Sequence, residues 1–600
     1  MAEYSAPIKD IRFTLEHIAD LGGLARSELY ASAEPELVAQ VLTEAGKLAS
    51  ETWAPLNQPG DRQGCVLENG VVRSPDGFAE AYRAFTDGGW NGIAADPAYG
   101  GMGLPLLVGT ATDEMWNAAN MGLSLCPLLT KSAVEAIHAH GTNEQKQTYL
   151  AKLVGGEWSG TMNLTEPQAG SDVGALRSTA EPAADGSWRI KGQKIFISHG
   201  EHELAENIVH LVLARTPDSP EGTRGISLFV VPKYLPDGAG GLGQRNDLRC
   251  VALERKLGLH GGPTCVMSYG DGGGAIGWLL GPERQGMRCM FTMMNAARLA
   301  VGVQGVAIAE RATQRAVAYA LERRQGQALG ADEPGPSPIV RHADVRRMLM
   351  TMKALTEAAR AVCYVTAEAI DRARAAGDDE ERERAQGRVE VLTPIAKAWS
   401  TDVGCEVTSL GVQVHGGMGF IEETGAAQHY RDVRVLPIYE GTNGIQAMDL
   451  AMRKLGLAGG EPLDALLDGL DDIGSAIQEA DTEFHMATAN LVGAQAALRG
   501  ATDRMRDFLG REPNAAAAAA TPYLKMWGLT LGAHLLAKGA MKARELLNAG
   551  GAVDAGHLQD RIAVARFFCE QLLPEAPAQL AAIGAGADIL YAVPEERLAG

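Results

Sequence analysis

Glu440 is the carboxylate with the clearest chemical setting in the chain. It lies in YRDVRVLPIYEGTNGIQ (residues 430–446), after the apolar residues Val433, Val435, Leu436 and Ile438. Gly441 and Gly444 follow, residue types that permit backbone geometry closed to others or the close approach of a flat ligand. Burial in such a place would raise a glutamate pKa from about 4.3 toward neutrality, which suits a general base. An isolated Tyr-Glu-Gly is more often a surface loop, so the rest of the chain has to decide.

Other stretches carry hydroxyls, an aromatic ring and isolated cations. Residues 164–172 read LTEPQAGSD, in which Thr165-Glu166-Pro167 alone could cap a turn. Residues 194–198, KIFIS, set Phe196 beside Ser198, and Phe196 also suits a core position. Arg298 in NAARLAVG and Arg323 in LERRQG are cations of a kind usually solvated or ion-paired on helices. His342, in IVRHADVRRML, fits a core or surface site. Residues 413–420, QVHGGMGF, lack the G-x-G-x-x-G spacing and a preceding strand, which excludes a Rossmann fingerprint.

The elements that must position these groups change type along the chain. Residues 1–160 read as helices, with an apolar stripe from Pro35 to Glu51, helices at 110–121, 132–139 and 143–153, and a turn-rich break at 100–105. Residues 161–287 turn to short β runs at 188–190, 194–198, 208–214, 225–231 and between 251 and 281, the pattern of a small barrel or sandwich. Residues 288–455 return to helix. Residues 456–461 read as a glycine-rich linker, and 462–600 as further helices broken by an alanine-rich turn or linker at 513–522. The fold expected is mainly α with a central β domain.

With these motifs in place, the chain resembles the acyl-CoA dehydrogenases. IYEGT resembles their catalytic loop, TEPQAGSD their TEPxAGSD flavin signature, KIFIS their W-I-T or F-I-T segment, and QVHGGMGF their Q-x-x-G-G-x-G-[FY]. The resemblance implies a helical N-terminal domain, a β-barrel middle domain and a helical catalytic bundle. The start EYSAPIKDIRF and the extra C-terminal helical domain resemble a large subgroup of about 600 residues. For FAD, the resemblance implies contacts from Met162, Leu164, Thr165, Ser171, Phe196 and Ser198. Arg323, Gln325, Gln413, Gly417 and Thr442 join that set, with Arg323 reaching the pyrophosphate across a subunit interface, a task its guanidinium fork suits. For the acyl-CoA it implies Ser171, Asn295, Arg298 and Gly441. Relatives with their base on the Arg298 helix carry it one residue earlier, where this chain has Ala297, so the resemblance leaves Glu440 as base. Asn443-Gly444 departs from the bulkier residues common after E-G-T.

Composition narrows the partners. A net charge of −20 argues against general binding to nucleic acid or anionic membranes. Eight cysteines form no C-x-x-C pair and no zinc spacing, so no metal site is expected, and a reduced, cytoplasmic chain is the natural reading. The N-terminus lacks a signal-peptide core and no apolar run reaches transmembrane length. The implied reaction is α,β-dehydrogenation of a short- or medium-chain acyl-CoA, 3-methylmercaptopropionyl-CoA or a fatty acyl-CoA. Electrons would pass to an electron-transfer flavoprotein from a homodimer or higher homo-oligomer. An acyl-CoA oxidase shares the proton chemistry. A DNA-binding relative, or a membrane-binding one, would want a basic C-terminal region, whereas acidic residues outnumber basic ones in 456–600.

Overall fold

Apolar runs between residues 158 and 279 build one eight-stranded sheet. In the computed structural model, which describes residues 4–600 except 239, 333, 481–484 and 551–553, its strands are β1 (Trp158–Asn163), β2 (Thr179–Pro182), β3 (Trp188–Ser198) and β4 (Asn207–Arg215). They continue as β5 (Ile226–Pro232), β6 (Leu248–Leu253), β7 (Thr264–Tyr269) and β8 (Ala275–Leu279). Glu3, in the stretch EYSAPIKDIRF, lies outside the described residues.

Strand order is β6-β7-β3-β8-β5-β4-β1, with β2 pairing to β3 and β4. The edge strand β1 runs parallel to β4, with Gly160 opposite Val209. β4 and β5 are buried almost throughout because both faces of the sheet are covered. Val209, Leu211 and Leu213 point into one core, with Trp158 and Met293, while Val212 and Ala214 point into the other, with Ile190 and Phe229.

The chain packs as two compact units. One comprises Met1–Ala6, Thr43–Leu104 and Met115–Ala300, including the sheet, and the other comprises Pro7–Leu42, Pro105–Glu114 and Val301–Gly600. The helices expected at 110–121 and 132–139 lie within one helical span, α1 (Leu106–His140), in which two helices meet at a kink at Asn120, whose φ is −156° and ψ 91°. The Asn120 side chain accepts the Leu123 N–H and caps the resumed helix. Helix α2 (Gly286–Glu322) is long and apolar enough to cross a membrane by composition alone, although the sequence reading found no such run. Of its most apolar window, 72% is buried inside the protein, as in a core helix.

The second unit is built on two long helices, α3 (Ala343–Ala375) and α4 (Asp379–His415). Arg360 of α3 is fully buried and bonds Glu114, Glu310 and, through Glu114, the Tyr364 hydroxyl. The C-terminal region adds α5 (Glu461–Ala480), α6 (His485–Arg511) and α7 (Pro513–Ala549). The break expected at 513–522 is absent, because α7 runs straight through it. Pro513 occupies the first helical turn, the alanines have the highest helix propensity, and burial of Tyr523 and Leu524 offsets the hydrogen bond lost at Pro522. Gly528 and Gly532 of α7 lie against the Trp399 indole of α4, where a Cβ on Gly528 would come within 2.1 Å of the ring. The extra C-terminal helices are thus keyed into the bundle at Trp399.

Candidate active site

In the sheet unit, β1 delivers the chain directly into the loop 164–172. Glu166 is buried there at 4% exposure and meets the fully buried Lys194 at 2.8 Å. The other Glu166 side-chain contacts are the Gln168 Nε2 at 2.7 Å, the Arg177 N–H at 2.7 Å, the Ser178 N–H at 3.0 Å and the Ser178 hydroxyl at 2.6 Å. Burial alone would raise its pKa, but the Lys194 charge and these donors outweigh burial and hold the carboxyl at about 2. Lys194 also donates to the Leu164 carbonyl at 3.0 Å, and the Ile195 N–H donates to the Thr165 carbonyl at 2.9 Å. The loop is therefore fixed to β3 from both sides. In sequence, Thr165-Glu166-Pro167 alone could cap a turn, and neither Glu166 nor Lys194 announces this ion pair.

One residue beyond that clamp, β3 bulges. Ile197 pairs with Cys265 but Lys194 with Met267, leaving an extra residue on β3. Phe196 takes φ +60° at the bulge and is 59% exposed. A large non-glycine residue held left-handed is strained and marks a place where the fold over-determines the backbone. Ser198 is half-buried, with its carbonyl accepting from Thr161 Oγ1 at 2.8 Å. Among the described residues, the hydroxyls of Thr165, Ser171 and Ser198 are left free of protein partners. Met162 is buried in the core. Arg298 is 7% exposed, bonds Asn295 at 3.2 Å and lies over the Phe291 ring at 5.7 Å, while Ala297 is fully buried.

Behind Ser198 sits a buried polar trio, Cys126, His199 and His202, whose candidate ligand atoms lie within 4.8 Å of one another. His202 Nδ1 accepts the Leu204 N–H at 3.1 Å, so its Nε2 carries the proton and donates to Ser159 at 3.0 Å. Burial pushes the Cys126 thiol up to about 12. His199 donates to the Gly122 carbonyl at 3.1 Å through Nε2, while its Nδ1 meets no hydrogen-bond partner, so the trio is partly a hydrogen-bonded core cluster and partly open.

In the helical unit, Glu440 is half-buried and adopts φ +56°, followed by Gly441 at φ +83°. Lys397 of α4 donates to the Gly441 carbonyl at 2.8 Å and to Asn443 Oδ1 at 2.9 Å. Asn443 Nδ2 donates to the Ala398 carbonyl at 3.0 Å, Thr401 Oγ1 at 2.9 Å and Asp402 Oδ1 at 2.8 Å. Gln446 reaches the Glu440 carbonyl at 3.3 Å, and Thr442 caps the short helix Asn443–Asp449. Burial, then the charge of Glu440, pushes the Tyr439 phenol above its ordinary range, so it stays protonated and donates to Gln304. Asn443, in sequence only a departure from a pattern, is the hub of this loop. Lys397 had no sequence signal of its own beyond being a cation within a helical run.

A third group gathers at one end of the same unit. Tyr319 of α2 stacks on His415 of α4 with centroids 4.4 Å apart, which brings Arg323 and Gln325 toward the helix end bearing Gln413 and Gly417. The Arg323 side chain is exposed and free of partners among the described residues, as is Gln413. His342 bonds the Gln325 carbonyl at 2.8 Å and so serves that loop. Leu321 and Phe420 are also exposed, Phe420 to 86%.

Sheet, bundle and motif geometry define an acyl-CoA dehydrogenase. The chain matches the family descriptions "Acyl-CoA dehydrogenase, N-terminal domain" over residues 41–157, "middle domain" over 161–271 and "C-terminal domain" over 284–455. Residues 470–594 match "Acetyl-CoA dehydrogenase C-terminal like". The chain belongs to the acyl-CoA dehydrogenase family, FAD-dependent oxidoreductases. It is 46% identical to 3-methylmercaptopropionyl-CoA dehydrogenase of Ruegeria pomeroyi, over 96% of this chain and 97% of that one. It is 32% identical to a butyryl-CoA dehydrogenase of Syntrophomonas wolfei, over 95% of each. Among solved structures, Caenorhabditis elegans ACDH-11 in complex with C11-CoA shares the fold at a TM-score of 0.73 and 20% identity, covering 95% of this chain and 92% of that one.

Proposed function

We propose that this protein removes the α-proton and β-hydride of a short- or medium-chain acyl-CoA thioester, with Glu440 as the base. The observation that carries the reading is the Glu440 loop. Glu440 takes a strained left-handed backbone conformation, in a loop that Lys397, Asn443 and Gln446 tie down through its Gly441 and Glu440 carbonyls and to α4, at the position the family resemblance assigns to the base. Fixing the base before substrate arrives lowers the reorganisation needed at proton transfer. The Glu440 backbone N–H serves as a donor to the thioester oxygen as negative charge develops there.

The unpartnered hydroxyls of Thr165, Ser171 and Ser198, the exposed Phe196 ring and the free Arg323 guanidinium suit FAD. When bound, FAD supplies the acceptor for the β-hydride. Met162, Leu164, Gln325, Gln413, Gly417 and Thr442 complete the proposed cofactor set, and Ser171, Asn295, Arg298 and Gly441 the acyl-CoA set. The exposed Leu321 and Phe420 support a homodimer or higher homo-oligomer that completes the flavin site. An electron-transfer flavoprotein is the proposed acceptor and the cytoplasm the proposed location. The division at 160, 287, 455 and 461 is the proposed domain plan.

The relative at 46% identity makes 3-methylmercaptopropionyl-CoA the first substrate to test. A thioether is nearly isosteric with a methylene, and hydrophobic pockets separate such groups by only about 1–3 kcal/mol. A panel of acyl-CoAs with a dye acceptor, ranked by kcat/KM, should show overlapping activity on 3-methylmercaptopropionyl-, butyryl- and hexanoyl-CoA. Activity confined to long-chain, branched or aromatic thioesters would overturn the substrate class.

A further inference from the structure

The helices of the second unit enclose a cleft of about 250 Å³ for which the dehydrogenation has no use. One wall is apolar, formed by Val365 of α3, Leu470 and Ile473 of α5, and Leu531 and Leu535 of α7. The rim carries three cations, Arg372, Arg388 and Lys538, against two acids, Asp20 and Glu368. Both acids are already committed, since Arg372 pairs with Asp20 at 2.8 Å and also with Glu368. Lys538 donates to the Ile18 carbonyl at 2.8 Å. Arg388 makes no hydrogen bond or ion pair among the described residues, although it feels Glu368 and Arg372 electrostatically. Its side chain is open to the cleft, yet desolvation by the surrounding protein lowers its pKa. An uncommitted guanidinium and a lysine at the mouth of an apolar slot, in a chain of net charge −20, make a local preference for an anion.

We propose that this cleft binds a medium-chain aliphatic carboxylate, its tail along the α3, α5 and α7 wall and its head on Arg388 and Lys538. The planar guanidinium fork matches a carboxylate. The volume lies at the small end of ligand pockets, enough for one alkyl chain and too small for a CoA ester. Three of the contributing helices would be tied together by such a ligand, so its binding stabilises the folded chain. The proposal does not depend on which acyl-CoA is oxidised.

The test is calorimetric titration of the full-length, FAD-loaded protein with hexanoate, octanoate and decanoate. Affinity should tighten about tenfold for each two added carbons, until the slot is full, and decanoate should raise the Tm. Arg388→Gln, a rim change, should weaken decanoate about tenfold or more while folding and flavin content stay normal. Leu470→Trp should abolish binding by filling the slot. Decyltrimethylammonium should not bind. The proposal is overturned if decanoate fails to bind at millimolar concentration, or binds a folded Arg388→Gln protein as tightly as the parent. It is equally overturned if butyryl-CoA displaces decanoate while Leu470→Trp does not, because the ligand then sits in the acyl pocket.

Discussion

The loop 164–172 and the Glu440 loop are both held rigidly, but by opposite means. In the sheet unit, the loop 164–172 hangs on a buried ion pair, Glu166–Lys194, and on backbone bonds to β3. In the helical unit, the Glu440 loop is held by neutral or half-neutral contacts, in which Lys397 and Asn443 satisfy carbonyls and side-chain oxygens. Each device ends in a left-handed non-glycine residue, Phe196 in one and Glu440 in the other. A fully paired charge can be spent on structure where no proton moves. For a residue proposed to accept a proton, a neighbouring carboxylate would raise the pKa and a paired cation would lower it. The lysine near Glu440 is turned to backbone oxygen and to Asn443.

The largest effect should come from Glu440→Gln, which keeps shape and removes the proton acceptor. Turnover with butyryl-CoA should fall on the order of a hundredfold or more, while flavin content and Tm stay near the parent. Near-normal turnover would place the base elsewhere. Lys194→Met should do the reverse, because Glu166 is left buried and unpaired. About 3–5 kcal/mol of stability should be lost in denaturant titrations, with FAD released more readily, while molecules that keep FAD still turn over. If this substitution instead halted chemistry without affecting stability, the division of labour drawn above would fail.

Asn443→Ala should have an intermediate effect. It strips three donor contacts from the loop and one acceptor from Lys397, costing about 1–3 kcal/mol and roughly tenfold in kcat, with little change in KM. The smallest effect concerns acid. Because Glu166 is held near 2 against an ordinary 4.5, its contribution is fully present above about pH 4.5 and fades as pH falls toward 2. Thermal melts between pH 7 and 3 should therefore show a shallower acid limb for Glu166→Gln than for the parent. Parallel curves would mean that the ion pair contributes nothing to folding.

What could be read from the chain beforehand follows the same line. Glu440, Phe196, Ser198 and Arg323 stand in short contiguous motifs, so their neighbours in sequence announce them. Lys397 does not, and Lys194, though it opens KIFIS, has its role announced by no neighbour, because their partners lie 44 and 28 residues away and only the fold brings them together. The strand pattern was legible because its apolar runs are bounded by turns. The continuity of α7 was not. Pro522 is a local breaker that tertiary packing overrides, and no local signal reports that packing.

The contact of Gly528 and Gly532 with Trp399 makes the C-terminal extension something other than an appendage. Trp399 lies two residues from Lys397, on the stretch of α4 that also supplies Ala398, Thr401 and Asp402 to the Glu440 loop. Ending the chain at the linker would strip cover from that indole and loosen the helix that supports the proposed base, Glu440. Grafting this catalytic bundle onto a shorter relative would therefore require a redesigned surface at Trp399. In this architecture the added helices behave as the keystone of the bundle, and trimming them changes the enzyme's aim before it changes its size.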